Sequence, residues 1–80
     1  MVTPQDIKGW IEQSLAESRV EIDGDGHHFD AVIVCPGFDG KNSIQRHQMV
    51  YGALGDRMKS DIHALSMKTF TPSEWASREV

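Results

Sequence analysis

The stretch from Arg19 to Cys35, RVEIDGDGHHFDAVIVC, decides the fold. Its first part alternates: Val20 and Ile22 are apolar while Arg19, Glu21 and Asp23 are polar, the period-two pattern of a half-buried strand. DGDG stops that strand, because Asp-Gly doublets let the backbone reach positive φ and close a tight turn. Phe29 to Cys35 is rich in β-branched residues and is followed by Pro36 and Gly37, which makes it the returning strand of a hairpin. The turn explains the glycines. It does not explain His27 and His28, since small polar residues would finish it equally well, and two adjacent imidazoles at the root of a strand raise the first functional question.

Upstream, Thr3-Pro4-Gln5-Asp6 is a helix start: Thr3 caps, Pro4 fills the position that needs no amide hydrogen, and Asp6 completes a capping box. Ile7, Trp10, Ile11 and Leu15 form the apolar stripe of that helix, with Lys8, Glu12 and Gln13 toward water and Gly9 weakening it slightly. Downstream, PGFDGKN is a loop, and a second helix starts near Asn42 or Ser43. Ile44, His47, Tyr51, Leu54 and Met58, flanked by Val50, mark one face of a helix of about four turns ending by Lys59 or Ser60. Ile62 to Phe70 is a third strand with His63, Leu65, Met67 and Thr69 on one side. Thr71-Pro72-Ser73-Glu74 repeats the cap logic for a short terminal helix. The sum is a two-layer α+β domain, a three-stranded sheet with helices on one face, spanning residues 1–80.

The 80 residues suit one small domain, and 39% hydrophobic with 25% charged residues excludes wholesale disorder. The longest apolar run, Ala31 to Cys35, is far too short to span a membrane, and MVTPQDIKGW lacks the features of an export signal, so the expected compartment is the cytoplasm. A net charge of −4 repels nucleic-acid phosphates, and Lys41, Arg46, Arg57, Lys59 and Lys68 are scattered rather than clustered. One cysteine, Cys35, cannot form an internal disulfide and is expected as a small buried hydrophobe at its strand end. His47 lies in an apolar stripe, which suits a packed histidine hydrogen-bonded to a neighbour rather than a ligand. Gly37 to Gly40, GFDG, matches the GxxG loop of nucleic-acid-binding KH domains in form, but Asp39 sets a negative charge where phosphate would lie. No Ser-His-Asp set, paired carboxylates or phosphate-binding glycine motif can be assembled, so no enzyme is expected.

FDGKNSIQRHQMVYGAL followed by IHALSMKTFTPSEW resembles the BolA family, and with the preceding helix and hairpin the likeness covers nearly the whole chain. The acidic balance, the short tail and DGHHF in the hairpin look more like the small branch called IbaG or YrbA than like BolA itself. The resemblance implies an α-β-β-α-β arrangement similar to a type II KH domain and a role beside a monothiol glutaredoxin in iron-sulfur trafficking or iron and redox sensing. It further implies that His63 ligates a shared [2Fe-2S] cluster together with a hairpin histidine, His27 with His28 as the alternate. The isolated protein then carries no cofactor and is a monomer or weak homodimer. A chain with one cysteine cannot supply four thiolates, so the missing sulfurs must be borrowed, and the resemblance implies a glutaredoxin cysteine and a glutathione thiolate as their source. The alternative that the resemblance implies is a KH-like transcriptional regulator of stress response and cell morphology, binding DNA weakly through Lys41 and Arg46; a metal-free interaction module is a third reading.

Overall fold

The computed structural model describes residues 2–60, 62 and 64–78. Helix α1 spans Pro4–Ser14, strands β1 and β2 span Arg19–Gly24 and His28–Val34, and a 3-10 turn covers Pro36–Phe38. Helices α2 (Ser43–Leu54) and α3 (Arg57–Ser60), strand β3 (Ala64–Phe70) and helix α4 (Pro72–Ser77) follow. The sheet order is β1-β2-β3, with β1 antiparallel and β3 parallel to the central β2. All three longer-range helix starts carry reciprocal caps: Thr3 with Asp6, Asn42 with Gln45 and Thr71 with Glu74. No helix among the described residues is long and apolar enough to cross a membrane.

Alternation along the strands sends Val20, Phe29, Ala31 and Ile33 to one face, where Ile7 and Ile11 of α1 and Val50 and Leu54 of α2 cover them. Phe38, read from sequence as part of a loop, is fully buried there because the 3-10 turn folds it back under α2. Fully burying a side chain of this size stabilises by roughly 1.5–3 kcal/mol. The α+β class and the order of the expected elements are as read from sequence, but the helices do not all lie on one face. Trp75 of α4 lines a small crevice with Arg19, Glu21, Val32 and Val34, residues that alternate away from the core, so α4 tucks under a corner of the opposite face. Phe70 meets Trp75 edge-on with ring centroids 5.3 Å apart.

Three further expectations are corrected. The second helix does not run four turns: it stops at Leu54, where Gly55 at φ +58° donates its N–H to the Tyr51 carbonyl, and the chain restarts as α3. Its buried line is also rotated. Val50 and Leu54 are buried with Met49 beside them, whereas Ile44 is 70% and Tyr51 41% exposed. The inward place one turn before Val50 belongs to Arg46, whose stem lies under the core edge while its charge is paired, a substitution that hydrophobic periodicity cannot foresee. In α1, Lys8 and Glu12 do not simply face water. Lys8 Nζ donates to the Val20 carbonyl (2.8 Å) and to Glu12 (3.1 Å), and Glu12 Oε2 accepts the Val20 N–H (3.1 Å), so α1 satisfies the backbone of Val20 on edge strand β1.

Candidate functional site

The β1–β2 connection is built around Asp25. Its Oδ1 accepts the N–H groups of His27 and His28, each at 2.8 Å, and its own N–H donates to the His28 carbonyl at 3.2 Å. Those amides, that of His28 foremost, hold the Asp25 carboxyl below the usual carboxylate range against the opposing effect of burial, with a lesser contribution from the neighbouring imidazoles. Gly26 supplies the positive φ of the turn, at +97°. Gly24 is needed for a different reason: a Cβ there would lie 2.5 Å from the His28 carbonyl oxygen and 2.5 Å from the Phe29 ring. The result is a loop whose backbone is latched while both His27 and His28 remain exposed.

The parallel pairing then sets what lies beside the loop. His28 pairs with Ala64, Phe29 with Leu65 and Asp30 with Ser66, so the start of β3 adjoins the exit of the hairpin. His63, the strand histidine expected as an iron ligand, precedes Ala64 in the sequence and lies outside the described residues. Among the described residues no group of three or more His, Cys, Asp and Glu side chains is placed to hold a metal ion. Cys35 is 2% exposed and its thiol donates to the Ala16 carbonyl at 3.7 Å, which makes it the small buried group expected. His47 is half-buried on α2.

The residues proposed for nucleic acid divide. Lys41 is exposed. Arg46 is engaged within the fold: Nε donates to the Lys41 carbonyl (2.8 Å), Nη1 to the Thr69 carbonyl (3.3 Å) and Glu74 Oε1 (2.7 Å), and Nη2 to Glu74 Oε2 (3.2 Å). With a side chain 12% exposed and stacked 5.8 Å above Phe38, it ties α2, β3 and α4 together, so a phosphate contact at this residue would compete with Glu74. The guanidinium, assisted by the Thr71 amide, holds Glu74 down to about 2, and Glu74 in turn raises Arg46. Sequence reasoning recognised Glu74 only as a cap; its second partner, 28 residues away, left no local signal.

A family model described as BolA-like protein matches residues 11–74. The chain belongs to the BolA-like family. A solved BolA homologue from Coxiella burnetii is 60% identical, superposes with a TM-score of 0.89, and covers 95% of this chain and 99% of its own. The acid stress protein IbaG of Escherichia coli is 38% identical over 72 residues, 89% of this chain and 86% of IbaG. The DNA-binding transcriptional regulator BolA of Haemophilus influenzae is 40% identical over 55 residues, 69% of this chain and 53% of the regulator. None of these names states an enzymatic activity.

Proposed function

We propose that this BolA-like protein is a non-enzymatic adaptor that binds a monothiol glutaredoxin and shares with it a [2Fe-2S] cluster, through His63 and a hairpin histidine, His27 or alternatively His28. The observation that carries the reading is the register: the latched, exposed histidine loop stands beside Ala64, the residue that follows His63. The donor set fits a shared cluster and not a self-contained one, since the chain offers exposed imidazoles while its sole thiol is buried. When bound, such a cluster would supply electron-transfer or iron-donating chemistry, and imidazole ligation raises its potential relative to thiolate alone. The chain's own contribution is to hold the loop backbone still, so that ligand orientation is set before the partner arrives.

The test is reconstitution with a monothiol glutaredoxin, glutathione, iron and sulfide. The mixture is expected to give a visible absorption and circular dichroism spectrum distinct from that of the glutaredoxin alone, changed by His63→Ala and by one of His27→Ala and His28→Ala. A spectrum identical with and without this protein would sink the proposal. The second reading, a DNA-binding regulator, is favoured by the name of the Haemophilus influenzae relative. It would rest on Lys41, with Arg46 committed internally, and it predicts binding that falls steeply with salt and weakens in Lys41→Glu.

A further inference from the structure

The fold treats the two margins of its sheet differently. Along β1 the outward backbone belongs to Val20, Ile22 and Gly24. Val20 is taken up by Glu12 and Lys8, and the Gly24 N–H donates to Asp23 Oδ1 at 2.9 Å. At the other margin the Phe70 carbonyl accepts the Cys35 N–H at 2.9 Å, which turns the backbone of Ala64, Ser66, Lys68 and Phe70 toward β2 and that of Leu65, Met67 and Thr69 outward. Arg46 Nη1 occupies the Thr69 carbonyl. Among the described residues nothing bonds the outward N–H and C=O of Leu65 or Met67, because β3 is the last strand of the sheet. Two donors and two acceptors at alternate residues are a template for one more strand.

Register and side chains choose the occupant. A second β3, antiparallel and related by a two-fold axis at Ser66, satisfies those four groups and no others: Leu65 pairs with the second copy's Met67, and Met67 with its Leu65. Moving the axis to Met67 would draw in Thr69, where the Arg46 guanidinium stands. On the core face Leu65 and Met67, partly buried against the apolar cluster, continue that layer across the seam. On the outer face Ser66 meets Ser66 and Lys68 meets Ala64, which keeps the two lysines about 13 Å apart along the strand. Ala64–Phe70 holds no carboxylate, so the net charge of −4 is carried away from this margin. We propose that the β3 edge joins two copies of this chain, merging two three-stranded sheets into one of six. Four backbone hydrogen bonds between two acidic chains make a weak dimer, and the adaptor reading is not needed for it.

The experiment is sedimentation equilibrium of the protein alone up to about 1 mM, where weak interfaces associate, and a concentration-dependent dimer is expected. Ser66→Lys, at an exposed position that leaves the fold intact, sets like charges directly opposite each other. It is expected to raise the dissociation constant about fivefold or more. It does so although one added positive charge brings the net charge of −4 closer to zero, so general repulsion between chains would predict the reverse. Ser66→Cys, its Cα about 4.5 Å from its symmetry mate, is expected to close an intermolecular disulfide on air oxidation, whereas Gln48→Cys, exposed on α2, is not. The native Cys35 is buried and leaves the readout clean. A protein that stays monomeric at about 1 mM, a dimer indifferent to Ser66→Lys, or Gln48→Cys cross-linking as fast as Ser66→Cys overturns the proposal.

Discussion

Replacing Gly24 by alanine tests the packing on which the histidine loop depends. The new methyl carbon would sit 2.5 Å from the His28 carbonyl oxygen, 2.5 Å from Phe29 Cδ1 and 3.1 Å from Phe29 Cα. Carbon atoms prefer about 3.5–4.0 Å, so each close contact must open by roughly 1 Å. Phe29 is 1% exposed and packed in the core cluster, and the His28 carbonyl is held by the Asp25 amide. The backbone of the loop must therefore shift. Overpacking of this kind costs about 1–3 kcal/mol, and because backbone as well as ring is struck, the upper half of that range applies. For a domain of this size each kcal/mol lowers the melting temperature by about 4–8 °C, so Gly24→Ala is expected to melt roughly 10–20 °C below the parent. Thermal unfolding followed by circular dichroism gives the shift, and amide NMR is expected to show changes concentrated at residues 25–29. A melting temperature within about 2 °C of the parent, with those amides unmoved, would refute the reasoning.

The other expected outcomes span the same molecule. Gly9→Ala, at a helix-interior glycine with nothing within 4 Å of a built Cβ, should stabilise by about 0.5–1 kcal/mol in urea unfolding. Asp25→Ala should accelerate amide exchange at His27 and His28 while leaving Ala31 and Ile33 in β2 protected, since only the loop amides lose their acceptor. Glu74 titrates at about 2 in the folded protein against an ordinary 4.5, so its contribution to holding α4 is whole above pH 4.5 and is lost as pH falls through 2. The stability difference between the parent and Glu74→Gln should accordingly be flat at neutral pH and shrink toward pH 2, and Trp75 should stay docked at pH 4.

Local rules made much of the fold legible. The caps at Thr3 and Thr71, the alternation of Val20 and Ile22 and the β-branched run of β2 are each written within a few residues, and each appears where expected. What escaped depends on distant partners. Arg46 occupies an inward position because Glu74 and the Thr69 carbonyl receive its charge, so the apolar stripe read through Ile44 and Tyr51 pointed to the wrong side of α2. Lys8 and Glu12 look like ordinary solvent residues until β1 arrives beside them. At the candidate site, Asp25 was read as a turn residue, and only the folded loop reveals it as the acceptor for both histidine amides. Gly24 was assigned to positive φ, yet its requirement is the absence of a side chain against Phe29.

The bonds from Lys8 and Glu12 to Val20 bear on how this protein behaves when crowded. Open-ended stacking of sheets into filaments requires each molecule to offer a free margin at both flanks, one to give and one to receive. Here the outward N–H and C=O of Val20 are already taken by Glu12 and Lys8, so a strand arriving at that point of the β1 margin must first displace two side chains.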